Sequence, residues 1–340
     1  MAAQAPPESG TASSPWSAVA RAVLLLTVAV GVLLTAFAWP SVRSSVHDVP
    51  IAVAGPAKAV RGVGAALERG RPGAFEITEV ADTAAAERLI REREVYGAVD
   101  VTSGKPQIII ASAAGTSVAQ TLQGIAAGLG QAGAKGAGAP VPVRDLVPLP
   151  DGDPRGAGLS AGALPLVMGG LLAAVLLTRL VRGTSRRIAG ALAFAVTGGL
   201  AVTAVLQFWF GSLGGSYAAN AGAVALSIAA ISLTVLGLGS LLGYAGFGLG
   251  AAAMMLVGNP LSGTATATEM LPGWSGALGQ LMPPGAGGWL LRSTAFFDGH
   301  GATRSVVVLC AWFALGALLC LVGPLRARRT ASAAPAGAGV

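Results

Sequence analysis

The residues that could do chemistry are few and sit next to hydrophobic runs. Glu269 is the single acid between Asp153 and Asp298, and it lies in a stretch, 258–288, "GNPLSGTATATEMLPGWSGALGQLMPPGAGG", that carries four prolines. An ionisable group at membrane depth is costly and tends to mark an ion or substrate path. At a wet interface the same group caps a helix or is simply solvated, and both readings stand for Glu269. Asn259-Pro260 opens the stretch. Proline removes a backbone donor and restricts the residue before it, so the pair marks where a helix must break. Gln207, near the end of another apolar run, can hydrogen-bond across helices or meet a cargo molecule.

Other constellations are ordinary. His47 and His300 are the two histidines and have no Ser or Cys motif beside them, which argues against a hydrolase. Arg292, Asp298 and His300 fall near Trp289, Phe296 and Phe297 and read as an interfacial anchor. Cys310 and Cys320 share one apolar segment. Their spacing along a helix is about 15 Å, too far for a disulfide. No CxxC, HExxH or zinc-type spacing occurs. Catalytic, cofactor and metal residues are therefore not expected.

The elements that must position these residues are set by hydropathy. Hydrophobic residues make up 53% of the 340, charged residues 11%, and mean hydropathy is +0.69. Soluble domains carry about a quarter charged residues. From Ile188 to Thr268 there is no charged residue or histidine at all, a length that exceeds three crossings of roughly 20 residues. The chain reads as a polytopic α-helical membrane protein with six transmembrane helices and a small α/β extracytoplasmic domain between helices 1 and 2.

Residues 1–18 read as a disordered cytoplasmic tail and 20–39 as the first transmembrane helix. Ala36-Phe37-Ala38 also resembles a signal-peptide cleavage site; the length of the run and the closing Trp39-Pro40 favour a retained helix. Residues 41–158 form the α/β domain. "PIAVAG" (50–55) and "AFEITEV" (74–80) read as strands, and Asp82 as the N-cap of a helix over 82–94. "YGAVDV" (96–101) and "QIIIASA" (107–113) flank a "TSGKP" turn and predict a hairpin, followed by a helix over 117–133 and a Gly/Pro-rich connector. The order is β-α-β-α-β-β-α. The charged helix face, with pairs such as Glu87–Arg91, reads as solvated.

Residues 159–325 supply the other five helices, at 159–177, 188–210, two within 218–258 joined near Gly239–Gly246, and 305–323, ending in a cytoplasmic tail over 326–340. Arg21, then Arg179, Arg182, Arg186 and Arg187, then Arg326, Arg328 and Arg329 all fall on the cytoplasmic side if the N-terminus does. A further crossing through 270–291 would put the last three outside, so 258–288 reads as a re-entrant element. Such backbone is tolerated at membrane depth only when packed in protein or lining a wet cavity. The high pI, near 10.2, does not indicate nucleic acid: residues 41–160 hold twelve basic and twelve acidic residues, and the excess sits beside apolar segments.

This layout resembles the type-2 ABC transporter permeases, and the large domain after helix 1 resembles their phage-infection-protein-like subgroup. The residues carrying the likeness are "VPIAVAGP" (49–56), "AAAERLIREREVYGAVDV" (84–101), "GNPLSG" (258–263) and "EMLPGWSGALGQLMPPGAGGWLLRSTAFFDG" (269–299). The resemblance implies a permease subunit in the plasma membrane that pairs with itself or a similar permease. It would contact membrane lipids and move an amphipathic or lipid-like substrate outward by alternating access. The driving ATPase would be a separate cytoplasmic subunit, since this chain has no GxxxxGK[ST] loop. Glu269, Asn259, Pro260 and Gln207 would then belong to the gate or substrate path. Arg179, Arg182, Arg186 and Arg187, in "TRLVRGTSRR" (178–187), set orientation and would also contact the ATPase. The short N-terminal tail departs from permeases that carry an amphipathic helix before helix 1. The alternative is a membrane scaffold or receptor that transports nothing and whose outer domain binds an envelope partner.

Overall fold

A computed structural model describes residues 14–133, 140–264 and 266–332. Most of the two expected tails, and residues 134–139 of the connector, lie outside the described residues.

Helix α1 (Trp16–Val42) begins before residue 20, and its last turn runs through Pro40 to a cap at Arg43. It leads into five strands, β1 (Val49–Ala54), β2 (Phe75–Val80), β3 (Gly97–Asp100), β4 (Gln107–Ile110) and β5 (Val143–Asp145). The sheet order is β2-β1-β3-β4-β5. Strand β1 is parallel to β2 and β3, the predicted β3–β4 hairpin is antiparallel, and β5 runs parallel to β4. The connector after residue 133 thus contributes a strand that the sequence reading did not include. It has three residues, all exposed, and none is buried against the core, so no hydrophobic alternation advertises it.

Three helices cover this sheet: α2 (Ala57–Gly70), α3 (Thr83–Arg91) and α4 (Thr116–Gly133). Two right-handed crossovers, β1-α2-β2 and β2-α3-β3, run in opposite directions along the sheet, so α2 and α3 lie on opposite faces. Asp82 is the expected N-cap, accepting from Ala85 N at 2.7 Å. Glu87 meets Arg91 at 3.3 Å and also takes Arg144 of β5, tying α3 to the sheet edge. Val49, Ile51, Val53, Ile90, Ile108 and Leu122 are fully buried between the layers.

Asp100 closes this domain from within. It is buried, and its carboxylate accepts from Thr83 Oγ1 (2.7 Å), Thr102 N (2.9 Å) and Thr102 Oγ1 (2.7 Å). Burial on its own raises the carboxyl, but these hydrogen bonds to the charged form outweigh it and hold it below its ordinary 3.8. A depressed folded-state value contributes stability above 3.8 that is lost as pH falls through it. Asp100→Asn is expected to cost about 1–3 kcal/mol at neutral pH. The gap to wild type should narrow progressively in thermal melts below pH 4 or so.

After the domain, the chain forms α5 (Ala157–Leu180), α6 (Thr184–Ala204) extended by a π-helical stretch (Val205–Trp209), α7 (Tyr217–Leu242), α8 (Tyr244–Ala252) with a π-helical end (Ala253–Gly258), α9 (Ser275–Leu281), α10 (Pro283–Phe296) and α11 (Thr303–Ser332). Five helices, α1, α5, α6 with its extension, α7 and the first part of α11, have the length and hydropathy to cross a bilayer. The chain is therefore a helical protein of the multi-pass membrane kind. The sixth apolar helix, Tyr244–Gly258, is shorter. Its nine α-helical and six π-helical residues rise about 22 Å at 1.5 Å per residue, against a hydrocarbon core of roughly 30 Å. The last helix continues to Ser332, so the first part of the expected tail, residues 326–332, is helical.

Helix α7 is the hub. Most of it is buried, while α1 has almost no buried residue. It packs on α11 where Gly237 and Gly316 face one another: a Cβ on Gly237 would lie 2.7 Å from Gly316 O, and one on Gly316 2.5 Å from the Leu233 carbonyl carbon. Hydroxyls bridge the close pair, with Thr234 Oγ1 donating to Trp312 O (3.2 Å) and Ser240 Oγ to Leu319 O (3.0 Å). Small residues that admit such approach are the usual means of helix association in lipid. Both cysteines are free, Cys310 exposed and Cys320 buried.

Candidate functional site

The break between α7 and α8 falls at Gly243, inside the expected 239–246. There Tyr244 stands against Arg179, whose guanidinium lies 5.7 Å from its ring centroid. From this end α8 runs back along α7, with Gly246 against Leu238 and Gly250 against Val235. The α-helix gives way to π-helix at Ala253 and stops at Asn259-Pro260, where the sequence placed the break. The loop beyond reaches the start of α5, with Ser160 Oγ donating to Thr264 O at 3.3 Å. Tyr244–Thr264 thus traverses the same length as Ser160–Arg179, partly as helix and partly as loop.

Where that loop passes between α1 and α5 it leaves a cleft of about 210 Å³. Asn259, Ser262, Thr264, Ser160 and Ser41 contribute polar groups, and Phe37, Leu164 and Leu271 an apolar wall. Asn259 Oδ1 is buried with no protein partner among the described residues, so it holds unspent hydrogen-bonding capacity. No lining side chain titrates. The cleft can bind or pass a molecule with hydroxyl, amide and apolar groups, but it offers no general acid or base.

The stretch expected to be re-entrant is largely helical and packed in protein. After a single 3₁₀ turn, Thr268–Met270, come α9 and α10. Ser275, Gly276, Gly279, Pro283 and Pro284 are buried. Trp312 Nε1 of α11 donates to Leu281 O (2.8 Å), and Gln280 Nε2 to Ser262 O (2.9 Å). Pro283 and Pro284 begin α10, where a missing N–H costs nothing.

Glu269 does not line the Asn259 cleft. It lines a neighbouring one of about 280 Å³ with His47, Asp48, Gln280 and Arg304, and it joins the α/β domain to the helices. Tyr96, at the start of β3, donates its hydroxyl to Glu269 Oε2 at 2.7 Å. Burial of the phenol and the adjacent Glu269 charge push the Tyr96 hydroxyl well above its usual range, so it remains a donor.

Arg93 lies beside this pair. Its guanidinium stacks 3.7 Å from the Trp289 ring centroid and 5.1 Å from that of Phe297, while Nη1 donates to Trp289 O (3.1 Å) and Ser293 Oγ (2.5 Å). Burial first, and then the nearby Arg292 charge, lower its pKa to about 9, so it stays a cation at neutral pH. It sits just past the end of α3 with φ 63°, where glycine is the usual residue. Its backbone conformation delivers the side chain into the helical region. Sequence reasoning missed Arg93 because "ERLIRERE" reads as a solvated helix.

The remaining expected residues scatter. Gln207 pairs with Asn220, which donates to Gln207 Oε1 (3.1 Å) and Gly214 O (2.8 Å), and it closes the turn before α7 by donating to Gly215 O (3.1 Å). It is not in the Asn259 cleft. Arg292 donates to Thr264 O (3.1 Å), whereas Asp298 and His300 are exposed, so the three do not form one cluster. At the opposite end of the helices, Arg187 caps α5 by donating to Val181 O (2.8 Å) and Thr178 O (3.0 Å). Arg179 at the end of α5, Arg182 in the connection and Arg186 in the first turn of α6 are exposed.

A scan against protein-family models and searches of curated proteins and of solved structures return no match. The functional reading therefore rests on this geometry and on the sequence resemblance.

Proposed function

We propose that the chain is the membrane permease subunit of an ABC-type exporter in the plasma membrane, crossing six times with both termini cytoplasmic. It moves an amphipathic or lipid-like substrate outward by alternating access driven by a separate ATPase. The observation that carries this reading is the broken passage from Tyr244 to Thr264, which loses α-helical geometry at Ala253 and ends on a polar cleft at Asn259. A helix whose end is unwound beside a cavity can change register at less cost than a regular one, because fewer ladder bonds must break. On this reading Tyr244–Thr264 is the fifth crossing and α9 with α10 form the outer gate. Arg179, Arg182, Arg186 and Arg187 all lie at the end opposite the α/β domain, a charge distribution that supports a cytoplasmic position for that end. Arg182 and Arg186 are exposed without a ring contact such as Arg179 makes with Tyr244, and would meet the ATPase. The exposed apolar length of α1 suits lipid or a second permease.

The firm attachment of the α/β domain through Arg93 and Tyr96 favours a second reading, a receptor or scaffold that presents this domain to an envelope partner. Co-expression with any Walker-A ATPase that a neighbouring gene encodes separates the two. The exporter reading expects a stable complex whose ATP hydrolysis rises on reconstitution and falls in Arg182→Glu/Arg186→Glu. Purification without the ATPase, with hydrolysis unaffected by this subunit, would sink it.

A further inference from the structure

The α/β domain contains a groove that the transport reading does not use. Helices α2 and α4 lie on the same face of the sheet but stand apart, and the gap between them is a cavity of about 460 Å³. That falls in the roughly 300–1,000 Å³ range of small-molecule sites. Val63 and Leu67 of α2, Phe75 of β2, Val99 of β3 and Ile125 and Leu129 of α4 form its walls. The remaining lining is alanine, glycine, valine and proline, apart from one charged residue, Arg71. At Gly70 and Gly128, an added Cβ would meet nothing within 4 Å, so the groove is open where larger side chains could have closed it.

The lining decides the class of ligand. A sugar, nucleotide or peptide backbone would bury polar groups here without partners, at a cost that apolar contact would not recover. A saturated hydrocarbon chain has no such groups. Arg71 caps the C-terminus of α2, its backbone N–H donating to Leu67 O at 2.8 Å, and the residue lines the groove. Among the described residues no carboxylate pairs with it. An exposed, unpaired guanidinium at the edge of an apolar slot complements an anionic head group.

We infer that this groove is a binding site for one acyl chain of an anionic amphiphile, with the chain between α2 and α4 and the head group at Arg71. The inference goes beyond the exporter reading and does not depend on an ATPase. A failed ATPase test and an empty groove are therefore separate results.

The test is photolabelling of the full chain in phosphatidylcholine nanodiscs with a diazirine-bearing palmitate, the labelled peptides being mapped by mass spectrometry. Label is expected on residues 63–71 and 125–129. Ala66→Phe places a ring in the groove from the same helical face as Val63 and Gly70, and should cut that label about tenfold while leaving label on the membrane helices unchanged. Arg71→Glu should cut palmitate labelling at the groove yet spare labelling by an uncharged diazirine hexadecanol. Label confined to the membrane helices, or groove label equal in wild type and both variants, overturns the assignment.

Discussion

Gly279→Ala is expected to abolish accumulation of the folded protein. A Cβ at this position would lie 1.6 Å from Leu261 O and 2.5 Å from its carbonyl carbon. The obstacle is backbone, so no side chain can rotate away. Relief requires α9 to separate from the loop that follows Asn259, and that loop carries the cleft. The neighbours leave little room for such a shift. A Cβ on Gly276 would lie 2.0 Å from Thr268 O, and one on Gly285 2.1 Å from Gly279 O. Overpacking in a soluble core costs about 1–3 kcal/mol, and a backbone clash this close belongs at or above the top of that range. Against a net stability of about 5–15 kcal/mol, such a loss can remove the folded state. The measurement is detergent-solubilised yield and melting temperature by fluorescence size exclusion. Gly222→Ala is the control: it is on α7, an added Cβ meets nothing within 4 Å, and alanine favours the helix by about 1 kcal/mol. A Gly279→Ala protein that accumulates and melts like wild type would contradict the packing of α9 on the 259–267 loop.

Arg93→Ala should detach the α/β domain from the helices without unfolding either. It removes the stack on Trp289 and Phe297 and the two hydrogen bonds into α10. A desolvated cation–π contact contributes about 2 kcal/mol, and hydrogen bonds from a charged donor about 1.5–3 kcal/mol each. Two terms oppose these. The cation is held in a site that disfavours it, as its lowered pKa records, and its backbone is in the left-handed region. We expect a net loss of about 2–4 kcal/mol, read as faster hydrogen exchange and proteolysis at residues 91–96 and 296–302. Arg93→Gly isolates the side chain, since glycine takes φ 63° freely; it should recover about 1 kcal/mol of the loss. Arg93→Lys keeps the charge but not the planar stack and should fall between. The linkage sign follows from the depressed value. Above about 9 the unfolded chain binds the extra proton, so junction stability rises with pH there and is flat below. An Arg93→Ala protein with unchanged exchange at both segments would refute the junction.

Where a signal was local, it was legible. Asp82 caps α3 because its spacing to the first free N–H is three residues. The hairpin followed from two β-rich runs around "TSGKP", and the helix break at Asn259-Pro260 from proline's missing donor. Where the signal depended on a distant partner, it was not. Glu269 could be read as an acid in an apolar setting, but its partner Tyr96 is 173 positions away, and Arg93 meets Ser293 across 200. Nothing in "ERLIREREVYG" distinguishes the arginine that turns into the helices from those that face solvent. Strand β5 was hidden for a related reason: its exposed side chains carry no pattern, and its backbone finds its ladder partners on β4.

By itself, the sequence determined that this is a helical chain of the membrane kind with an α/β unit after its first helix, and that its excess basic residues gather beside the apolar segments. Hydropathy and charge are summed over tens of residues, and they act on each segment before it meets another. Only the tertiary structure decided that the fifth apolar segment is a shortened helix completed by a loop, and that 275–288 folds into helices packed in protein. It alone decided, too, that Arg93 and Tyr96 carry the domain's attachment. Those outcomes depend on which backbone comes within a few ångströms of which, and on whether each buried donor finds an acceptor there.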